Sequence, residues 1–170
     1  NNTYDILFST SPANLLLDIE NGNVTFDLNA FTYTLTSAVR IKPVSGQTGR
    51  LTLIDGTLDV DTNSDQIQVG LGGTGFLTVS TNAVVGAGGT NPFIILGLSD
   101  GDGTMTINNG GVVNSSAASV GNTGALGTGV ATVTGLGSTS NNSGQFIVGI
   151  QGTGTGTVQN TGTVASNGSS

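Results

Sequence analysis

The chain has 170 residues and a formal charge of −7, with 3 basic and 10 acidic residues, 29 glycines and no histidine, cysteine or tryptophan. So few basic residues cannot displace the counterions of a nucleic acid, and we expect no nucleic-acid partner. Without cysteine or histidine the chain cannot build a zinc finger, a thiol nucleophile or a Ser-His-Asp triad. We therefore expect no enzyme, and no catalytic, cofactor-binding or metal-ligating residues.

Apolar residues fall in short runs that are rich in β-branched side chains. Examples are Leu51–Ile54 and Phe93–Leu96. Disordered chains lack such runs because they cannot bury enough apolar surface to offset chain entropy. The glycine spacing and the Thr and Val content oppose helix, and no apolar run approaches the roughly 18 residues that span a bilayer. The sequence therefore predicts a folded all-β protein without a membrane span.

A phrase of glycine, any residue, a small or apolar residue, threonine and a large apolar residue recurs along the chain. One copy reads Gly75-Phe76-Leu77-Thr78-Val79. Its first glycine recurs at intervals of 25 to 28 residues, at Gly22, Gly49, Gly75, Gly103, Gly129 and Gly154. A period this steady is typical of a repeat architecture in which each copy packs on the next. We call these residues the anchor glycines.

Each period holds two further apolar segments, separated by turn signals. Asp55-Gly56 and Asn109-Gly110 precede the second segment, and both pairs accept the positive φ of tight turns. The third segment ends in an apolar residue followed by glycine, as at Val69-Gly70. Three short strands in each period of about 26 residues predict a parallel β-solenoid of about six coils. Residues 1–47 form an N-terminal cap or the first coils, and a docking face, while residues 48–170 form the repeat solenoid.

The threonine of each phrase occupies one phase, which predicts a stacked column. Strand side chains alternate between faces, so the threonines point outward and their apolar neighbours inward. An antiparallel sandwich has no need to repeat one phrase at one phase, which favours the solenoid. The predicted column is Thr25, Thr52, Thr78, Thr106, Thr132 and Thr157. The predicted corner glycines, where a Cβ would clash, are Gly49, Gly75, Gly103, Gly129 and Gly154.

Residues from about Gly72 to Ser166 resemble the Gly/Thr/Asn-rich repeat of autotransporter passengers and of PEP-CTERM surface proteins. The similarity lies in the segments Gly103–Val113, Gly129–Thr139 and Gln145–Gly149. It covers a little over half of the chain and carries no catalytic residues to transfer. The resemblance implies a right-handed parallel β-helix that is exported and displayed at the cell surface.

An acidic cluster is the strongest candidate for chemistry. Its members are Asp55, Asp59, Asp61 and Asp65. Asp59 and Asp61 should point outward together, and paired carboxylates serve glycoside hydrolysis. Counting from the anchor glycines places Thr32 and Val85 beside Asp59, and Thr34 and Ala87 beside Asp61, which adds no third carboxylate and no cation. We therefore favour a solvated acidic face over a catalytic pair.

Two further sequence patterns bear on ligand binding, one on calcium and one on ice. Asp100-Gly101-Asp102-Gly103 is similar to part of a calcium loop, but it lacks the further oxygen ligands and the terminal Glu, so we favour a plain corner. The threonine column raises ice binding, since flat threonine arrays on β-solenoids can match ordered water. The positions two residues after the column hold Asp27, Ile54, Ser80, Asn108, Thr134 and Gln159. We therefore favour a structural column of β-branched residues.

Charge is distributed unevenly, with every charged residue between Asp5 and Asp102. An uncharged C-terminal region suits contact between copies, since net charge keeps proteins apart. A solenoid end is also an open sheet edge, and the core thins there, where Ala131 and Gly156 replace larger residues. We expect a secreted structural protein that stacks head to tail into a surface fibre, sheath or matrix. The alternatives are an adhesin-type passenger that binds glycans or neighbouring cells and, third, a carbohydrate-active enzyme.

Overall fold

The computed structural model describes residues 2–60, 66–86, 91–122 and 127–168. Its strands form three sheets, and each strand pairs in parallel with the equivalent strands one coil before and one coil after it. No helix occurs within these ranges. The predicted all-β parallel solenoid is confirmed.

The three sheets run along the whole molecule. The first sheet contains β1 (Thr3–Leu7), β4 (Gly22–Asp27), β7 (Thr48–Ile54), β10 (Thr74–Ser80), β13 (Asp102–Ile107), β16 (Thr128–Thr134) and β19 (Thr153–Gln159). The second contains β2 (Ala13–Asn14), β5 (Thr32–Leu35), β8 (Thr57–Val60), β11 (Val84–Val85), β14 (Val112–Ser115), β17 (Thr139–Asn142) and β20 (Thr163–Ser166). The third contains β3 (Leu17–Ile19), β6 (Val39–Ile41), β9 (Gln66–Leu71), β12 (Phe93–Leu98), β15 (Ala117–Val120) and β18 (Phe146–Val148).

The coil count agrees with the prediction. Strands β1 to β18 form successive coils of three strands, with one strand in each sheet. β19 and β20 begin another coil in the first and second sheets. The strands of residues 1–47 belong to the same sheets, because β4 pairs with β7 from Gly22 opposite Gly49 to Asp27 opposite Ile54. The strands of residues 1–47 therefore belong to the same solenoid, and its sheets continue without a break across residue 47.

Side-chain alternation along each strand forms the core. In β7, Leu51 and Leu53 are buried while Thr52 between them is half-exposed. Equivalent residues of successive coils stack, so the core consists of columns that run the length of the molecule. One column of the first sheet becomes smaller toward the C-terminal end, through Tyr4, Val24, Leu51, Leu77, Met105, Ala131 and Gly156.

Aromatic side chains lie at the N-terminal end of the core. Phe8 packs against Phe26 and Tyr33, with ring centroids 5.2 and 5.4 Å apart, in tilted arrangements that aromatic pairs favour. Tyr4 and Ile6, on the inner face of β1, are 50% and 44% exposed. The first coil therefore covers the core at Phe8 and leaves it open at Tyr4 and Ile6.

The corner between the first and second sheets is a tight turn whose residues adopt a backbone conformation with positive φ. Asn109-Gly110 has φ of 47° and 80°, and the Gly111 amide donates to the Asn108 carbonyl oxygen at 2.9 Å. Asp55-Gly56 occupies the equivalent corner, with φ of 49° and 145°. Both turn signals in the sequence therefore lie where the chain passes from the first sheet to the second.

The corner between the third and first sheets is built from pairs of glycines. A Cβ on Gly103 would collide with the amide nitrogen of Gly97 and the carbonyl oxygen of Val69. The positive φ belongs to Gly97, at 72°, and not to the anchor glycine. The anchor glycine is therefore required for close approach of two backbones rather than for a sharp turn. The same pairing joins Gly75 with Gly70, Gly129 with Gly121, and Gly154 with Gly149.

The second sheet buries polar side chains in its C-terminal coils. Ser115 donates its hydroxyl to Asn142 Oδ1 at 2.6 Å, and Asn142 donates Nδ2 to the Ala165 carbonyl oxygen at 3.0 Å. Ser115 and Asn142 are almost completely buried. Because buried polar groups are costly mainly when unpaired, these hydrogen bonds allow a partly polar core that links three successive coils.

Candidate functional site

The six predicted threonines occupy one column on the outer face of the first sheet. Thr52 pairs with Thr25 on one side and with Thr78 on the other. The register then continues through the remaining members, Thr106, Thr132 and Thr157. All six are half-exposed, and the residues before and after them face inward. The column is thus a regular row of hydroxyl and methyl groups along the rod.

A second threonine column, four residues earlier in each strand, was missed in the sequence analysis. Here Thr48 pairs with Thr74, Thr74 with Asp102, and Asp102 with Thr128, which pairs with Thr153. The signal was present, because threonine directly precedes four of the anchor glycines.

Between these columns the C-terminal strands carry further threonines. We define the outer threonine patch as nine outward positions of β13, β16 and β19, in the three columns that contain Asp102, Thr104 and Thr106. They are Asp102, Thr104, Thr106, Thr128, Val130, Thr132, Thr153, Thr155 and Thr157. Neighbours lie about 4.8 Å apart across strands and roughly 7 Å apart along them. The patch is a near-rectangular grid with one charged residue, at its edge.

The N-terminal half of the same face differs chemically. The guanidinium carbon of Arg50 lies 3.7 Å from the ring centroid of Phe76, a cation–π contact between adjacent strands. Arg50 and Phe76 occupy the column that holds Thr104, Val130 and Thr155 in the later coils. The outer face therefore changes from charged and aromatic to hydroxyl-rich along the rod.

The acidic cluster is only partly brought together. Asp59 lies half-exposed on the outer face of β8, opposite Thr34. Asp55 lies at the preceding corner, where its φ is 49°. Asp61 and Asp65 lie outside the described residues.

Both neighbours expected for Asp59 are wrong. Thr34 and not Thr32 pairs with Asp59, because the corner before β5 contains residues 28–31 and the corner before β8 only residues 55–56. Val85 pairs with Leu58 and is buried, so it belongs to the inner face. The corner before β11 contains residues 81–83, whereas the corner before β8 contains residues 55–56. The extra residue shifts the count by one, and a shift of one position reverses the face of every side chain in a strand.

The calcium-like segment lies at the corner before β13. Ser99 and Asp100 have φ of 54° and 61°, and Asp102 is an exposed residue of the first sheet. Within the described ranges, no group of three or more Asp, Glu, His or Cys side chains lies close enough together to hold a metal ion. The segment is a corner, as favoured from the sequence.

An ion-pair cluster joins the first two coils. Lys42 Nζ lies 2.8 Å from a carboxylate oxygen of Asp18 and 3.7 Å from one of Glu20. The hydrogen bond to Asp18 is the main cause of a raised pKa for Lys42, with smaller contributions from the charges of Asp18 and Glu20. These side chains remain partly solvated, so the cluster serves as a surface tether between coils.

The C-terminal end of the core opens into a cavity of about 250 Å³. Apolar side chains line it, among them Ala131, Phe146, Val148 and Val158. Val148 and Val158 are 44% and 54% exposed. The third sheet ends at β18 while the others continue to β19 and β20. The cavity therefore lies among the last described strands of the three sheets.

Comparisons with known proteins add no relative: no family model, no curated protein and no solved structure matches the chain. In the part of the chain that the structure describes, no helix has the length and apolar character needed to cross a membrane.

Proposed function

We propose that this chain is a structural rod, displayed outside the cell, that assembles head to tail into a fibre, sheath or matrix and has no catalytic role. The observation that carries the proposal is the continuous stack of parallel strands in three sheets, which makes the molecule a rod. At one end Tyr4 and Ile6 of the inner face are about half-exposed, and at the other Val148 and Val158 are. Apolar surface of this kind at a sheet end favours association.

Backbone hydrogen bonding supports the same contact. β1 and β19 are the two terminal strands of the first sheet, and β2 and β20 are those of the second. All strands run parallel, so a second copy placed in line continues both ladders with the same geometry. Such strand addition supplies affinity through the main chain. A head-to-tail contact is heterologous and gives an open filament when its rotation does not close.

Charge distribution and composition support the assembly and its location. The coils after Asp102 have no charged residue, so like-charge repulsion does not oppose contact at the C-terminal end. The absence of cysteine and the scarcity of lysine are typical of exported bacterial proteins, and the resemblance to surface-displayed repeats points the same way. A continuous core with stacked backbone ladders provides stiffness, which is the property a fibre or sheath requires.

Sedimentation velocity with the full chain, over a concentration series, tests the proposal. We expect larger species to grow with concentration, and negative-stain electron microscopy to show rods several times the length of one molecule. A single monomeric species at every concentration, with isolated short rods on the grid, would overturn it.

The outer threonine patch favours a second candidate, an adhesin-type role in binding glycans. Its hydroxyl groups repeat at regular intervals on a flat sheet, and hydroxyl donors and acceptors can serve repeating sugar units. Glycan-array binding by a monomer that forms no filaments favours this candidate. A charged substitution within the patch, such as Thr132→Lys, should then abolish binding, while the same change at Thr34 on the second sheet should not.

A further inference from the structure

The corner between β13 and β14 contains an asparagine directly followed by a glycine. Asn109 and Gly110 have φ of 47° and 80°, a left-handed conformation that both residue types tolerate. A Cβ on Gly110 would also approach Asn82 Oδ1 to 2.9 Å. The fold therefore requires a glycine at this corner, after a residue that accepts positive φ.

An asparagine before a glycine is chemically labile. When the amide nitrogen of the glycine gives up its proton and attacks Cγ of the asparagine, an N–C bond forms, the Cγ–Nδ2 bond breaks and ammonia leaves. Water then opens the cyclic imide at either carbonyl and yields aspartate or isoaspartate. Glycine favours the first step because it has no Cβ to obstruct the approach. Asn109 is exposed, so water reaches this corner.

Both groups that must react are hydrogen-bonded to neighbouring coils. The Gly110 amide, which is the nucleophile, donates to Ser138 Oγ of the next coil at 3.2 Å. Asn109 Nδ2, which is the leaving group, donates to Ser80 Oγ of the preceding coil at 3.3 Å. Ser138 and Ser80 are only 1% and 7% exposed, so water does not compete for their hydroxyl groups. The amide proton is therefore harder to remove, and the asparagine side chain is held in place.

We infer that Asn109 is a latent deamidation site that the stacked coils keep closed. Ser138 engages the nucleophile and Ser80 holds the leaving group, so the reaction requires the corner to open first. The inference is independent of assembly and of any ligand, because both hydrogen bonds lie within one molecule. It gives the close stacking of coils a second role, which is to protect the chain against chemical ageing.

The two products affect the fold differently. Aspartate suits the corner, since Asp55-Gly56 occupies the equivalent place with φ of 49° and 145°. Isoaspartate lengthens the main chain within the corner, and the length of a corner decides which face the following side chains take. The strand that follows is β14, in which Val113 is completely buried. Isoaspartate is therefore the damaging product.

Mass spectrometry of peptic peptides tests the inference on the purified full chain after incubation at mildly alkaline pH. Fragment ions assign the conversion to Asn109 or to Asn142, which is buried in the core. We expect the conversion of Asn109 to be at least about tenfold slower in the folded chain than in the chain unfolded by urea. Equal rates would overturn the inference.

Removing either serine hydroxyl should open the site. Ser138→Ala frees the Gly110 amide, and we expect Asn109 to convert about fivefold faster than in the natural chain, the effect of one lost hydrogen bond. Ser80→Ala frees the asparagine side chain, and we expect about a twofold increase. Ser140→Ala is the matched control, because Ser140 is a buried serine of the same coil as Ser138 that bonds to Asn142 and not to the corner. It should leave the rate at Asn109 unchanged.

The rate at Asn142 separates a guarded site from general loosening of the fold. In Ser138→Ala, faster conversion at Asn109 alone supports the role of Ser138. Faster conversion at Asn109 and Asn142 together assigns the effect to loss of the fold and overturns the inference. An unchanged rate in Ser138→Ala, or an equal acceleration in Ser140→Ala, overturns it as well.

Discussion

The amide nitrogen of Gly97 occupies the space that a Cβ of Gly103 would need. Gly97 lies at the end of the third sheet in one coil, and Gly103 lies at the start of the first sheet in the next coil. Their backbones approach closely because neither residue has a side chain. The same arrangement recurs in the neighbouring coils, so these glycine pairs set how tightly the chain can close each coil.

We predict that Gly103→Ala lowers the free energy of unfolding by about 2–3 kcal/mol, since the added methyl group forces backbone apart in a packed corner. Gly156→Ala is the matched control, because its Cβ meets only ordinary contacts. There the alanine should be neutral or raise stability by about 0.5 kcal/mol, through the unfolded state. Urea unfolding of both variants measures the difference, and equal midpoints would contradict the role of the glycine pair.

We predict that Asn142→Ala lowers the free energy of unfolding by about 1–3 kcal/mol, because it leaves the buried hydroxyl of Ser115 without its partner and removes the hydrogen bond to the carbonyl of the exposed Ala165. Ser115→Ala removes the hydroxyl that would be left unpaired. The double variant should therefore lose less than the sum of the two single losses. Thermal unfolding of the four proteins gives the coupling, and strict additivity would contradict a hydrogen bond between the two side chains.

We predict that the ion pair of Lys42 makes stability depend on alkaline pH. The pKa of Lys42 is raised above its ordinary value of 10.5 by Asp18, so its stabilising contribution is present at neutral pH. It is lost as pH rises through the raised pKa, when the ammonium group gives up its proton. Unfolding midpoints at pH 8 to 12 measure the effect, in the natural chain and in Lys42→Met.

The difference in unfolding midpoint between the natural chain and Lys42→Met should shrink as the pH rises from about 8 to about 12. Arg40→Met is the matched control, since Arg40 lies two residues before Lys42, forms neither of the Lys42 ion pairs and keeps its charge across this pH range. Its difference from the natural chain should not follow the same curve. A constant difference for Lys42→Met at every pH would contradict the prediction.

We predict that the chain releases no reducing sugar from polysaccharides and that Asp59→Asn leaves assembly unchanged. Asp59 lies on the outer face beside Thr34, which supplies no second carboxylate for glycoside hydrolysis. Asp27→Asn, on the outer face of β4, is the matched control. Polysaccharide hydrolysis that disappears in Asp59→Asn and persists in Asp27→Asn would revive the enzymatic alternative.

The threonine column shows which side-chain positions can be predicted by counting residues along the sequence. Thr52 and Thr78 were placed side by side because their distances from the anchor glycines are equal, and no corner intervenes between glycine and threonine. Val85 was misplaced because a corner of variable length lies between it and Gly75. Within one strand a residue count predicts the face, but each corner crossed can add one or two residues, and a shift of one residue is enough to reverse the face.

From the sequence alone followed the steady period, the three strands per coil, the outward threonines and the thinning of the core, because parallel stacking imposes its repeat on the chain itself. The close contact of Gly97 with Gly103, the buried hydrogen bond of Ser115 with Asn142, and the cavity at Gly156 were decided by the tertiary structure. Each joins residues from different strands, and their distances depend on how the corners close. A single linear repeat does not contain that information.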